Sequence, residues 1–205
     1  MERNRSSFNP FDPFRYGMGF PAFVAGNLYS EDPTVFEVIN KGNGGNRVVD
    51  LYSRIKADVR NLKPDVLSIL IGINDVWHKI SNDNGVEIER YEKVYRMLIE
   101  DTKKVLPDVK IILCEPFFTD GAATIDTPDY PDRHKIFCEV YDYAKVVRRI
   151  AQEHDLFFLP LQEKFDEVSK KFAPQYFLYD GVHPSPVGAK IIADEWLKLF
   201  KQKIL

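Results

Sequence analysis

Hydrophobic positions along the chain form short continuous runs separated by longer amphipathic stretches. Apolar runs at 66–71, 109–114 and 156–159 predict buried parallel strands, and a further strand is predicted at 35–39. Helical spacing of apolar residues predicts helices over 21–28, 48–59, 87–106, 132–154, 162–171 and 185–203. Strands that alternate with helices imply a parallel sheet covered on both faces. The pattern predicts a doubly wound α/β fold, a three-layer α/β/α sandwich, with residues 1–205 as a single domain.

Composition narrows the classes of protein that fit this pattern. The 205 residues include 27 aromatic side chains (15 Phe, 10 Tyr and 2 Trp), which argues against a disordered chain. A net charge of −3, from 28 basic and 31 acidic side chains, gives no support to nucleic-acid binding. No apolar run approaches the roughly 20 residues that a membrane-spanning helix needs. We therefore expect no nucleic-acid partner and no membrane span.

Cysteine, histidine and terminal patterns add three weaker expectations. Two cysteines are too few for a disulfide scaffold, and four scattered histidines do not have the spacing of a metal site. The polar residues 1–7 lack the apolar core of a secretion signal, so a cytoplasmic location is expected. Apolar loop residues are candidates for a subunit contact in a homo-oligomer, namely Phe11, Phe14, Phe20 and Phe23.

Three unusual loops, at 41–47, 72–78 and 179–184, are predicted to lie at one edge of the sheet. In sheets of this kind ligands bind beyond the carboxyl ends of the strands. The convergence of these loops is the main indication of a functional site.

The last loop carries Asp180 three residues before His183, with Gly181 between them. A carboxylate at this spacing can fold back onto the imidazole Nδ1–H and leave Nε2 as a general base. The alternative is that Asp180 only caps a turn and His183 is an incidental loop residue. The spacing alone favours that structural interpretation.

The other two loops carry donors suited to a negatively charged ligand. Asn74 follows the most hydrophobic strand, where its amide can stabilise an oxyanion, although an ordinary Asn-Asp turn is the alternative. The 40–47 loop is rich in Gly and Asn, and the N–H groups around Gly45 can approach either a phosphate or an oxyanion. It lacks both the dinucleotide glycine spacing and the Gly-Lys-Ser/Thr ending of phosphate-binding loops.

Taken together and in this order, the segments 40–51, 71–77 and 180–186 resemble the SGNH (GDSL) hydrolase superfamily. Within it they resemble the carbohydrate acetyl-esterase branch that includes the acetylxylan esterases. The resemblance implies an acyl hydrolase in which His183 accepts a proton from a serine and Asp180 orients the imidazole. It also implies that Gly45 and Asn74 form the oxyanion hole, that the substrate is a small-molecule or carbohydrate ester, and that no metal or organic cofactor takes part.

The chain departs from the family at its first block, an apolar strand that ends in Gly-Asp-Ser. Residues 1–5 look like the segment that follows this serine, so the nucleophile and its strand are expected to lie upstream of Met1. Ser6 and Ser7 have no strand before them, and Ser185 is better suited to capping a helix. We therefore expect an N-terminally shortened domain whose flavodoxin-like sheet lacks its first strand.

Three further residues are candidates for the substrate pocket. Trp77 and His78 follow Asn74, and Tyr179 precedes Asp180 at a position where it can stack on a sugar; core packing is the alternative for the two aromatic residues. The leading function is an esterase. The alternatives are a catalytically inactive binding protein and, with less support, a nucleotide-binding protein that uses residues 42–45.

Overall fold

A parallel sheet of three strands lies at the centre of the part of the chain that the computed structural model describes, Asp12 and residues 14–205. The strands are β1 (Val66–Leu70), β2 (Lys110–Cys114) and β3 (Phe157–Leu159), and they neighbour one another in that order. Leu67 lies opposite Ile111, and Leu113 lies opposite Phe158. Continuous apolarity suits a sheet that is buried on both faces.

Helices cover the two faces of the sheet and complete three layers. They are α1 (Phe20–Glu31), α2 (Val48–Ile55), α3 (Ile73–Ser81), α4 (Ile88–Val105), α5 (Arg133–Phe137), α6 (Val140–Glu153), α7 (Gln162–Ser169) and α8 (Pro186–Lys203). Apolar side chains of α2, α4 and α6 pack with Ile69, Ile111 and Leu113 on one face. Those of α1, α7 and α8 pack with Ile112 and Cys114 on the other. The predicted α/β/α sandwich is confirmed.

The predicted strand at 35–39 is wrong. These residues pair with no strand among the described residues; instead the Val38 amide donates to the Tyr29 hydroxyl at 2.9 Å, and the Phe36 ring meets that of Phe200 edge-on. An extended segment becomes a strand only where a neighbouring strand can take its main-chain hydrogen bonds. No such neighbour lies beside this segment in the described part of the chain.

Two predicted boundaries also need correction. The segment 72–78 is not a loop, because α3 begins at Ile73, directly after Gly72 with its φ of +136°. The predicted helix over 132–154 is divided into α5 and α6 by Cys138 and Glu139. Both of these residues keep helical dihedral angles. The helical spacing of apolar residues therefore continues across the break, and the sequence gives no sign of it.

The sheet ends at β1 on one side, as expected for a sheet without its first strand. Within the described residues β1 pairs only with β2, and the order runs on to β3 at the other edge. No helix among residues 14–205 is long and apolar enough to cross a membrane.

The start of α8 is locked against the loop that precedes it. Ser185 caps this helix by accepting a hydrogen bond from the Gly188 amide at 3.2 Å, and its own amide donates to the Phe177 carbonyl at 2.8 Å. Gly188 is buried so closely against Phe177 that a Cβ would overlap with that carbonyl oxygen. The helix therefore fixes the end of the loop that carries Asp180 and His183.

We predict that Gly188→Ala destabilises the protein by about 1–3 kcal/mol, the usual cost of overpacking a tight contact. The matched control is Gly26→Ala, because Gly26 lies on the exposed side of α1 with nothing within 4 Å of a new Cβ. That variant should gain about 0.5–1 kcal/mol from helix propensity. Urea unfolding of both variants measures the two effects, and equal effects would contradict the packing argument.

Candidate active site

The Asp180 carboxylate holds His183 in a tight turn. Its Oδ2 lies 2.7 Å from His183 Nδ1, and its Oδ1 accepts the amides of Val182 and His183 at 3.0 and 2.8 Å. An ionised carboxylate only accepts hydrogen bonds, so Nδ1 must carry the proton and Nε2 presents its lone pair. The predicted pairing of Asp180 with His183 is present in the structure.

Hydrogen bonding keeps this carboxylate ionised. Burial acts to raise the pKa of Asp180, but hydrogen bonds from the His183 amide and imidazole and from the Val182 amide outweigh it. The pKa therefore lies below the usual aspartate value. An ionised partner stabilises an imidazolium, so the pair is suited to general-base chemistry.

The turn is fastened to the loop that follows β2. The Thr119 amide donates to the Gly181 carbonyl and the Ala123 amide donates to the Asp180 carbonyl, each at 2.8 Å. Gly181 has a φ of +97°, and a Cβ on Gly121 would overlap with the Asp180 main chain. Both glycines are needed for this close approach of two backbones.

Two aromatic rings contact the imidazole. The Tyr179 ring is stacked on His183 with centroids 5.6 Å apart, and the Trp77 ring is tilted against it at 5.5 Å. Tyr179 is 60% exposed, whereas Trp77 rests on the buried ring of Phe137. The structure thus brings together four of the predicted residues, Trp77, Tyr179, Asp180 and His183.

Asn74 and Gly45 are brought together in a second group. The Asn74 side-chain amide donates to the carbonyl of Asn46 at 3.1 Å, which places it beside the exposed turn at Gly45, where φ is +76°. Asn74 also lies one helical turn before Trp77 on α3, so the two side chains share a face. This face of α3 therefore carries both Asn74 and the Trp77 ring that contacts His183.

The buried carboxylate of Asp75 helps to hold the group formed by Asn74 and Gly45 in place. It is fully buried, and both of its oxygens accept the Val48 amide at the start of α2, at 3.0 and 3.3 Å. Burial raises the pKa of Asp75 to about 7, against the opposing effects of the Val48 amide and the positive charge of Arg47. Asp75 therefore joins α3 to the segment that carries Gly45.

His78 belongs to neither group. Its Nδ1 is buried without a hydrogen-bond partner in the structure, and burial together with Arg47 lowers its pKa while Asp50 opposes them. These charged neighbours place it on the α2 side of α3. The structure does not bring it together with the pair formed by Asp180 and His183.

Serine residues of the described chain do not reach the imidazole. Ser185, as predicted, caps α8, and its hydroxyl also donates to the Tyr176 carbonyl at 2.6 Å. Among the described residues no serine hydroxyl is hydrogen-bonded to His183. Ser6 and Ser7 lie outside the described residues.

Sequence reasoning missed Asp75, Thr119 and Gly121, which position the site without facing it. In the sequence Asp75 stands out only as the second residue of an Asn-Asp pair. Such a pair is equally typical of an ordinary turn. Thr119 and Gly121 contact the turn at Asp180, which lies about 60 residues further along the chain. No local pattern signals such a long-range backbone contact.

Residues 11–191 match the model of the GDSL-like lipase/acylhydrolase family. An acetylxylan esterase of Geobacillus stearothermophilus is 36% identical over 187 residues, which cover 89% of this chain and 80% of that protein. Among solved structures, a putative GDSL-like lipase of Parabacteroides merdae superposes with a TM-score of 0.78 at 35% identity and covers 89% of this chain and 82% of its own. The crystal structure of Axe2, an acetylxylan esterase of G. stearothermophilus, gives a TM-score of 0.73 at 36% identity, covering 88% and 80% of the two chains.

We predict that Asp75→Asn changes how stability depends on pH. The pKa of Asp75 is raised from 3.8 to about 7 on folding, so between these values the folded state binds more protons. Wild-type stability is therefore lost as pH rises through this window, by up to about 4 kcal/mol. The asparagine variant has no such ionisation and keeps an oxygen for the Val48 amide.

Urea unfolding at pH 5 and pH 8 measures the difference. Asp75→Asn should gain stability relative to the wild type at the higher pH. The control, Asp83→Asn, removes an exposed carboxylate just beyond α3. Its free energy of unfolding should equal that of the wild type at both pH values. Parallel behaviour of all three proteins would show that Asp75 is ionised at pH 5.

Proposed function

The chain belongs to the GDSL-like lipase/acylhydrolase family, and on that premise we propose that it hydrolyses carboxylic esters, removing small acyl groups such as acetyl from carbohydrates. The single observation that carries the proposal is the hydrogen bond between Asp180 and His183, which orients an exposed imidazole with Nε2 available. In the proposed triad His183 is the general base and the Asp180 carboxylate orients its imidazole.

In each half of the proposed reaction His183 takes up a proton and then passes it on. Its Nε2 accepts the proton of a serine hydroxyl as the serine oxygen bonds to the ester carbonyl carbon. The same proton then passes to the leaving alcohol as the ester C–O bond breaks and an acyl-enzyme forms. Water then bonds to the acyl carbon as His183 takes its proton, and this proton passes to the serine oxygen as the acyl–serine bond breaks and the carboxylic acid is released.

We assign the serine to the apolar strand that the family resemblance places before residue 1. Two variants of Axe2, in which a serine or an aspartate is replaced by alanine, are described as catalytic mutants. These descriptions support a serine nucleophile and an aspartate partner for this family. We assign the role of this aspartate in the present chain to Asp180.

The oxyanion is assigned to Asn74 and Gly45. The Asn74 amide has two N–H bonds, and one of them is used by the Asn46 carbonyl. The second N–H and the Gly45 amide are the proposed donors to the carbonyl oxygen as its charge develops. The contact with Asn46 fixes the Asn74 side chain before substrate arrives.

A carbohydrate alcohol is the proposed leaving group. The two acetylxylan esterase relatives support it, and so does the exposed ring of Tyr179 stacked on the imidazole, at a position where a sugar can also stack. Trp77 is the proposed wall of a small acyl pocket because its ring contacts His183.

Hydrolysis of 4-nitrophenyl acetate and acetylated xylo-oligosaccharides tests the proposal. We compare the chain of 205 residues with one extended at its N-terminus by an apolar strand that ends in Gly-Asp-Ser. Activity should appear in the extended chain and fall by roughly a thousandfold or more on His183→Ala or on replacing the added serine by alanine. Absence of hydrolysis in both chains would favour the alternative, an inactive binding protein.

We further predict that Asn74→Ala lowers kcat of the active form by about 10²- to 10³-fold, the effect of removing one oxyanion donor. Asn82→Ala, at the exposed end of the same helix, is the matched control and should retain full activity. Steady-state kinetics on 4-nitrophenyl acetate separates kcat from KM. A change confined to KM would argue against Asn74 as an oxyanion donor.

A further inference from the structure

A second imidazole, that of His134, lies between a thiol and a carboxylate. Its Nε2 lies 3.6 Å from Cys138 Sγ, and its Nδ1 lies 3.5 Å from Asp120 Oδ1. His134 and Cys138 are four residues apart, a spacing at which the side chains of a helix are neighbours. Asp120 comes from the loop that follows β2. The three side chains form a thiol–imidazole–carboxylate group in which each ring nitrogen has its own partner.

Main-chain bonds and a ring contact hold His134 in this position. Its amide donates to the Asp126 carboxylate at 2.8 Å, and its ring meets the buried ring of Phe118 edge-on at 6.1 Å. The Cys138 amide donates to the His134 carbonyl at 3.0 Å, which continues the helical bonding of α5 to Cys138. None of these contacts uses a ring nitrogen, so both nitrogens remain available to Cys138 and Asp120.

The order of the partners suits removal of the thiol proton. A carboxylate accepts hydrogen bonds, so Asp120 favours the tautomer that is protonated on Nδ1, and the lone pair of Nε2 then faces the thiol. Burial raises the pKa of the Cys138 thiol, and the negative charge of Asp120 adds to the rise. The thiol is therefore protonated at neutral pH. Because the thiolate is the nucleophile, its reaction needs a base such as His134.

Reagents can reach this group, but one metal ion cannot be shared by its three members. The His134 side chain is 43% exposed, and Cys138 is partly exposed. Cys138 and Asp120 lie on different nitrogens of the ring, which point in different directions, so the three side chains do not converge on one central point. A metal site requires such convergence. The arrangement instead allows the thiol proton to move to His134 while the sulfur forms a bond.

The charges beside the group favour an uncharged reagent. The carboxylates of Asp120 and Asp126 contact the side chain and the amide of His134, and no lysine or arginine in the described part of the chain forms an ion pair with either of them. The guanidinium of Arg133 instead stacks over the Tyr130 ring at 4.5 Å. An anionic reagent would therefore be repelled as it approached the thiol.

We propose that Cys138 is a site of covalent modification by small, uncharged α,β-unsaturated carbonyl compounds, with His134 as the general base and Asp120 as the residue that orients the imidazole. Nε2 of His134 takes the thiol proton as the sulfur bonds to the β-carbon, and the electron pair of the carbon–carbon double bond moves to give an enolate. The proton then passes from His134 to the α-carbon. The product is a neutral thioether, and no further reactant is needed.

Cys114 provides an internal comparison within the same chain. It is fully buried in β2, and burial raises the pKa of its thiol to about 12. Its Sγ lies 3.4 Å from the Ser68 hydroxyl, which is not a base at neutral pH. The chain has two cysteines, so the mass of each peptide assigns an adduct to one of them. This chemistry is independent of the proposed function, because neither Asp180 nor His183 takes part.

Modification of the complete chain by N-ethylmaleimide at neutral pH tests the proposal, with peptide mass spectrometry as the measurement. Cys138 should react in the folded wild type, and Cys114 should remain free. His134→Gln should slow the reaction of Cys138 by about tenfold or more, because a general base is lost. The control, His154→Gln, changes an imidazole at the end of α6 and should leave the rate unchanged. Equal or faster reaction in His134→Gln would overturn the proposal.

Reaction in D2O separates a base from a merely structural residue. The wild type should react more slowly in D2O because the thiol proton moves as the bond forms, and His134→Gln should lose this slowing. If His134→Gln fails to fold, Cys114 reacts as well and reveals it. The wild type then decides alone, and an equal rate in H2O and D2O would overturn the proposal.

Asp120→Asn tests the orienting residue, because its two possible effects have opposite signs. Loss of the negative charge alone would lower the pKa of the Cys138 thiol and speed the reaction. Loss of the orienting contact should slow it by about threefold or more. We expect the slowing, and we expect no change in the control, Asp129→Asn, at an exposed position of the same loop. A faster reaction in Asp120→Asn would overturn the assigned role of Asp120.

A charged reagent with the same reactive ring tests the selection for uncharged compounds. N-(2-carboxyethyl)maleimide should modify Cys138 about threefold or more slowly than N-ethylmaleimide, when each rate is divided by the rate with free cysteine. High salt should reduce the difference, because it screens the charges of Asp120 and Asp126. Equal normalised rates at low salt would overturn the selection for uncharged reagents.

Discussion

The main-chain hydrogen bond between the Thr119 amide and the Gly181 carbonyl joins the two loops on which the candidate site depends. One loop follows the central strand β2, and the other leads into α8. Because the contact is between backbones, it leaves the side chains of Asp180 and His183 uncommitted to holding the loops together. Glycine at positions 121 and 181 makes the approach possible, so the orientation of the imidazole depends on two residues that have no side chain.

Charge reinforces the arrangement in two different ways. Asp180 is only partly buried, and its hydrogen bonds keep it ionised beside His183. Asp75 is fully buried in the first turn of α3, against the start of α2, and desolvation raises its pKa towards neutrality. Two aspartates with opposite shifts therefore serve one site, the first as the partner of the imidazole and the second as an attachment between α3 and α2.

Much of the fold could be predicted from local patterns, and the errors have physical causes. Continuous apolar runs identified β1, β2 and β3, because buried parallel strands need apolar side chains on both faces. The segment 35–39 has the same pattern, but pairing with a neighbour decides whether a strand forms. Asn74 and Asp75 favour turns as residue types, yet they lie in the first turn of α3, where Asp75 is held by the distant Val48 amide.

The site divides in the same way between local and distant contacts. The pairing of Asp180 with His183 was predictable because a spacing of three residues lets one side chain fold onto the other. The flanking of His183 by Tyr179 is equally local, whereas its contact with Trp77 requires the tertiary fold. His78 follows Trp77 directly, but a helix turns adjacent residues to different faces, which adjacency in sequence does not reveal.

The chain contains two tryptophans, and the structure separates them. Trp77 contacts the imidazole of His183, whereas Trp196 lies in the apolar cluster of α1, α7 and α8 and donates its indole N–H to the Ser68 hydroxyl of β1 at 3.1 Å. Each indole therefore samples a different solvent environment. Single-tryptophan forms of the protein would give one fluorescence signal for the surroundings of the imidazole and an independent one for the edge of the sheet.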